Sequence, residues 1–91
     1  MKIFKYEVEI DTSFSIKMPV NSKILNFHVQ NNIPYIWVLV DEDNPLRERY
    51  FSIVGTGEEI DILCEQLIYI GTIHIKIEDM NIVWHLFEDI T

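Results

Sequence analysis

Hydrophobic and polar residues alternate along most of this chain, which is the period of a strand with one buried face. From Lys2 to Ile10, Phe4, Tyr6, Val8 and Ile10 fall on one side and Ile3, Lys5, Glu7 and Glu9 on the other. Asp11-Thr12-Ser13 has turn composition, and Phe14, Ile16 and Met18 then alternate with Ser15 and Lys17. The two segments read as a first hairpin, and Pro19 ends the second strand because it lacks a ladder N–H. Lys23–Gln30 sets Leu25, Phe27 and Val29 against Asn26, His28 and Gln30. Asn31-Asn32 accepts left-handed backbone angles and predicts a hairpin turn. Tyr35–Val40 is apolar at every position and reads as a central strand covered on both sides.

Asp41–Arg49 is polar, contains Pro45 and reads as a loop, with Tyr50–Val54 as a fifth strand. The period then changes. Ile60, Leu63, Cys64 and Leu67 stand at i, i+3, i+4 and i+7, the stripe of a short helix over 58–66. Thr56 would cap it, and Glu58 and Glu59 would favour the positive end of its dipole. Ile68–Ile77 and Ile82–Phe87 form a closing hairpin around Asp79-Met80-Asn81. The expected fold is α+β and mostly β. It is an antiparallel sheet or small open barrel of about seven strands with one short helix, in a single domain over 1–91.

Composition sharpens this picture. At 91 residues, 48% of them hydrophobic, the chain suits one two-layer core. Net charge is −8, with four basic and six acidic residues in 1–45 and three basic and nine acidic in 46–91. An acidic surface repels phosphate backbones, so no direct nucleic-acid binding is expected and a basic protein surface is the favoured partner. No apolar run reaches the length of a membrane span, and the alternating N-terminus is not a signal peptide, so no membrane is expected and the expected compartment is the cytoplasm. The single cysteine, Cys64, agrees with a reducing compartment.

Several segments together form an ordered set: Phe4-Lys5-Tyr6-Glu7-Val8, Met18-Pro19 before Lys23-Ile24-Leu25, Val29-Gln30-Asn31, Trp37-Val38-Leu39-Val40-Asp41, Gly55-Thr56-Gly57, Tyr69-Ile70-Gly71-Thr72 and Val83-Trp84-His85-Leu86-Phe87-Glu88. This set resembles a family of short bacteriophage and prophage proteins without assigned chemistry. The resemblance implies a phage genome, where short acidic proteins often act on host defence or host enzymes. It transfers no catalytic residue. In that family the segment matching Glu58–Leu67 is Pro-rich and loop-like, whereas the spacing here predicts a helix.

Each candidate chemistry meets a simpler reading. Gly55-Thr56-Gly57 before a helix suggests a phosphate site, but no P-loop lysine follows and Glu58 and Glu59 occupy the place of the anion. Cys64 lies on an apolar stripe, where a thiol is inert. His28, His74 and His85 lie on separate strands without metal-ligand spacing, although His74 and His85 would face each other across the last hairpin. Asp41-Glu42-Asp43-Asn44 begins like a calcium loop but lacks its central Gly and closing Glu. No metal or cofactor is expected. Carboxylates could mimic nucleic-acid phosphates, but mimics tend to be more acidic than this chain. Trp37 and Trp84 are expected in the core, and Tyr35, Tyr50 or Tyr69 would anchor an interface if exposed.

No nucleophile–base pair or paired carboxylates are legible, so a non-enzymatic module that occupies a host protein is the expected function. The candidate contacts are Asp41, Glu42, Asp43, Arg47 and Arg49 in the loop, with Glu58, Glu59, Asp61 and Glu65 on the helix. A second expectation is an oligomeric sponge for a small cyclic nucleotide, held by Arg47, Arg49 and Lys76 with stacked tyrosines. A third is a structural virion component. Two sheet edges need protection, which favours a homodimer or larger ring.

Overall fold

The computed structural model describes residues 1–11, 13–62 and 64–90, with Cys64 described by its backbone alone. Among the described residues seven strands carry the fold: β1 (Lys2–Glu7), β2 (Ser13–Pro19), β3 (Lys23–Gln30), β4 (Ile33–Val40), β5 (Leu46–Gly55), β6 (Leu67–Ile77) and β7 (Met80–Asp89). They form two antiparallel sheets, one of three strands in the order β1-β4-β3 and one of four in the order β2-β5-β7-β6. The molecule measures 16 Å along its thinnest axis. That is the depth of two pleated sheets packed about 10 Å apart.

The first two strands do not form a hairpin. β1 pairs with β4, and β2 pairs with β5 in the other sheet. The chain leaves β1 at Glu7, and Val8 enters the core at 1% exposure while its N–H donates to the Pro34 carbonyl. Burying Val8 carries the following residues across to the second sheet. Thr12, in the expected turn, lies outside the described residues.

The β3–β4 hairpin forms as expected, with Asn31 at φ 53° and Asn32 at φ 64°. Two left-handed residues in a two-residue loop match the twist of the strands they join. β4 is central in its sheet, but only one side is covered. Ile36, Val38 and Val40 are buried, whereas Tyr35, Trp37 and Leu39 remain half-exposed on the outer face. Trp37 is therefore not a core residue.

Two boundaries and the facing of one side chain differ from expectation. β5 begins at Leu46, so the loop shrinks to 41–45 and Arg47 and Arg49 belong to a strand. Pairing with β2 through Pro19↔Leu46 extends it. The last hairpin turns at Glu78-Asp79, with Ile77 opposite Met80 and Glu78 at φ 55°. Leu25 is the third shift. A bulge between Ile24 and Asn26 turns it out of the row it was expected to share with Phe27 and Val29. Leu25 is 46% exposed while Phe27 is 4% exposed.

The helix over 58–66 is not present among the described residues; the only helical element there is a 3-10 turn at Cys64–Gln66. Leu63 of the expected stripe and the Cys64 side chain lie outside the described residues. Local bonding explains the loss. The Glu58 N–H donates to the Gly55 carbonyl at 3.1 Å, and the Glu58 carboxylate accepts the Gly55 N–H at 2.8 Å. Gly57 supplies φ 89°. This turn takes the donor and carboxylate that a helix start would use. The strip that follows lies over Ser52 and Val54, on the side of β5 turned away from the main core.

One core cluster draws on both sheets, with Phe27, Ile36, Val38 and Val40 from the first and Met18, Phe51, Ile53, Ile73, Ile75 and Leu86 from the second. The strands do not close a barrel. The sheets approach along β3 and β6. There a second bulge, between Tyr69 and Gly71, brings Gly71 against Phe27.

Candidate functional site

Arg49 and Glu88 form a tightly held polar pair. Strand parity places them together. Arg49 precedes Phe51 by two residues on β5, and Glu88 on β7 is the register partner of Phe51. Both side chains therefore belong to the core-facing row and meet at its end. Arg49 Nε donates to Glu88 Oε2 at 2.7 Å, and Nη2 donates to Oε1 at 2.6 Å. This is the planar fork of a bidentate ion pair. Nη1 donates to the Ser22 carbonyl at 2.6 Å and lies 3.5 Å from Met18 Sδ. One guanidinium thus ties β5 to β7 and to the turn between β2 and β3.

Grooves open on either side of this pair. One, of about 360 Å³, is lined by Asn21, Ser22, Arg47, Tyr50, Asp89 and Ile90 beside the pair. The other, of about 350 Å³, lies between Lys23, Leu25 and the Ile68–Ile70 stretch. Both bulges border this second groove. Its rim carries three exposed apolar side chains: Leu25 at 46%, Ile68 at 50% and Tyr69 at 58%. Bulges re-aim side chains and are common beside functional sites.

Tyr69 also begins a chain of hydroxyl and imidazole groups on the outer face of the four-stranded sheet. Its Oη is 2.6 Å from Thr72 Oγ1. Thr72 Oγ1 is 2.9 Å from His85 Nδ1, and His85 Nε2 is 2.7 Å from Thr56 Oγ1. Register produces this chain, because Thr72 and His85 are cross-strand partners. In a neutral imidazole one nitrogen donates and the other accepts, and either hydroxyl can answer. The chain includes no carboxylate, so it orients Tyr69 without forming a nucleophile–base–acid triad. The Tyr69 ring packs edge-on to Phe87 at 5.6 Å.

The expected contact residues divide into separate groups. Asp41 shapes its loop by accepting the Asp43 N–H at 3.1 Å on Oδ1. Glu42 pairs with Lys2 at 2.8 Å, and this hydrogen bond and charge hold the Lys2 ammonium above its ordinary pKa. Asp43 is exposed. Arg47 and Arg49 share the 360 Å³ groove, but Arg49 is committed to Glu88. Glu58 is turned back onto Gly55. Glu59 and Asp61 line a depression of about 220 Å³ with Ser13, Ser52 and Val54, and Glu65 is exposed in the 3-10 turn. No helix face gathers the four acids.

His74 is opposite Val83 rather than His85, because the turn sits at Glu78-Asp79. Among the described residues no three His, Cys, Asp or Glu side chains are grouped to hold a metal. Tyr50 and Tyr69 are exposed, at 53% and 58%, and Tyr35 is half-buried. Trp84 packs against the core from a half-buried position, with its Nε1 buried and without a hydrogen-bond partner. The sequence reading missed Glu88, Ser22, Leu25, Ile68 and the Thr56–His85–Thr72–Tyr69 chain. An acid or hydroxyl on a strand has no periodic signature of its own, and a bulge leaves none.

No helix among the described residues is long and apolar enough to cross a membrane. No curated protein and no solved structure matches the chain. The model of a domain of unknown function, DUF7352, matches residues 1–91, and the chain belongs to that family.

Proposed function

We propose that this chain is a non-catalytic, phage-derived binding module that occupies a bacterial host protein and inhibits a defence system. The groove between the two bulges carries this reading. Leu25, Ile68 and Tyr69 give it an exposed apolar rim, while the Arg49–Glu88 pair at its side is fixed by three hydrogen bonds from the guanidinium, two to Glu88 and one to the Ser22 carbonyl. Rigid apolar anchors beside satisfied polar groups are the usual make-up of an interface hot spot. The net charge of −8 favours a partner with a basic surface. Glu59, Asp61 and Glu65 would supply peripheral attraction. β1 and β2 end their sheets unpaired to each other, and self-association into a homodimer or ring through those edges belongs to the same reading.

The test compares tagged wild-type chain with Tyr69→Ala and with Glu59→Lys/Asp61→Lys in native mass spectrometry of material drawn from host lysate. A host protein held by the wild type and lost from both variants supports the reading. The same proteins retained by all three would sink it.

A second reading is a sponge for a small cyclic nucleotide. It is favoured by Arg47 and the exposed Tyr50 lining one groove. Lys76 lies opposite Asn81, near the tip of the last hairpin, so it would have to come from another subunit. Thermal shift against a cyclic-nucleotide panel decides it, and no shift with any member rejects it.

A further inference from the structure

We propose that the outer face of the three-stranded sheet binds single-stranded nucleic acid, with Trp37 stacking on a base and Lys5 and Lys23 meeting phosphates. This surface is separate from the groove described above.

Strand parity defines the face. β4 turns out Ile33, Tyr35, Trp37 and Leu39, the alternates of the buried row. Register sets Lys5 opposite Trp37 and Glu7 opposite Tyr35 on one side. On the other side Lys23, Asn26, His28 and Gln30 stand opposite Leu39, Trp37, Tyr35 and Ile33. The flanking residues Lys5, Glu7, Lys23, Asn26, His28 and Gln30 are exposed, and Tyr35, Trp37 and Leu39 between them are half-exposed.

The chemistry of the rows is uneven. The centre is aromatic, with Tyr35 and Trp37 in edge contact at 5.9 Å. Lys5 Nζ sits 4.4 Å from the Tyr35 ring centre and donates to Gln30 Oε1 at 2.9 Å. The ammonium is thereby held over Tyr35, beside the Trp37 ring. Asn26, His28 and Gln30 are exposed donors and acceptors at alternate positions on the neighbouring strand. A stacking ring, flanking cations and a row of hydrogen-bonding side chains on an open sheet are what unpaired bases require.

Charge selects the occupant. The chain carries −8, yet the outward residues include Lys5 and Lys23 against Glu7 alone. The expectation of no nucleic-acid binding rested on the total charge, and this face departs from the total. An apolar protein partner would cover Ile3, Ile33 and Leu39 only by also burying two lysines, a glutamate and the polar row of β3. Groups buried without partners cost free energy that a strand of phosphates and base edges avoids.

The test is fluorescence anisotropy of labelled oligothymidylate and oligouridylate of about ten nucleotides, a length within the site size of small β-sheet binders. The full chain is titrated at about 50 mM and about 200 mM salt, and the logarithm of affinity should fall with a slope of about −1.4, as two phosphate contacts on a single strand predict. Trp37→Ala should weaken binding about tenfold or more, the usual effect of losing one stacked ring. Lys5→Glu/Lys23→Glu reverses two exposed charges, at the loss of the Lys5 contacts with Tyr35 and Gln30, and should abolish binding. Circular dichroism melts check both variants. Absence of binding to both oligonucleotides at the lower salt overturns the proposal, as does binding that both variants retain. Binding of an oligoglutamate peptide in place of the oligonucleotides also overturns it, and assigns the face to an acidic protein partner.

Discussion

A Cβ added to Gly71 would come within 3.3 Å of the Phe27 Cβ, at the place where the two sheets approach through β6 and β3. Phe27 is 4% exposed and belongs to the core, so it has little room to retreat. Glycine at this position is a matter of space between strands rather than of backbone angle. Replacing it by valine should destabilise the fold by about 1–3 kcal/mol through overpacking. Alanine should cost less. Urea unfolding of both variants checks the order, and a valine variant as stable as wild type would mean that the sheets do not meet there.

The Arg49–Glu88 pair should show strong coupling. Its side chains are 23% and 15% exposed, so screening is partial rather than complete. Arg49→Met or Glu88→Gln alone leaves a half-buried partner unsatisfied, and each should cost about 1–3 kcal/mol. The double variant should cost clearly less than the two together. A double-mutant cycle by denaturant unfolding measures the difference, and simple additivity would refute the coupling.

Glu78 holds φ 55° in the last hairpin without being glycine or asparagine. That backbone region penalises a side chain with a Cβ by about 1–2 kcal/mol. Glu78→Gly should therefore stabilise the protein by about 0.5–1 kcal/mol, after allowing for the greater freedom of glycine when unfolded. A higher melting temperature is the expected reading, and a lower one would count against the strained turn.

Two groups make the fold sensitive to alkali. Burial raises the Tyr6 phenol above its ordinary 10.0, and the hydrogen bond and charge of Glu42 raise Lys2 above its ordinary 10.5. In each case the folded state holds its proton more tightly than the unfolded chain. The stability this provides is complete below the unfolded values and disappears as pH climbs through the folded ones. Thermal melts should be flat in these terms up to about pH 9 and fall beyond about pH 10. Tyr6→Phe should shrink the fall, and an identical fall in that variant would clear Tyr6 of the effect.

Much of the fold was legible because alternation reports which residues face inward. The strand set, the Asn31-Asn32 turn and the central place of β4 follow from it. Alternation does not name a strand's partner, so β1 beside β4 and β2 beside β5 were invisible. Four apolar residues at helical spacing were too few to prevail over the Gly55–Glu58 turn and the burial of Ser52 and Val54. Leu25 read as a core residue because a bulge shifts parity without changing composition. Arg49 was picked out as a charge for a partner, but its partner is internal, and Glu88 looked like any acid near the end of a strand.

The separation of β1 and β2 into different sheets has a consequence for the order of assembly. Of the paired strands, only β3–β4 and β6–β7 are joined by short turns, whereas β1 waits for a strand that begins at Ile33 and β2 for one that begins at Leu46. Closing such distant pairs is slow relative to forming hairpins. In pulse-labelled refolding, amides of the two hairpins should gain protection from exchange before those of β1. The first of the seven described strands in chain order would then be among the last to find its place, and protection of β1 together with the hairpins would exclude that order.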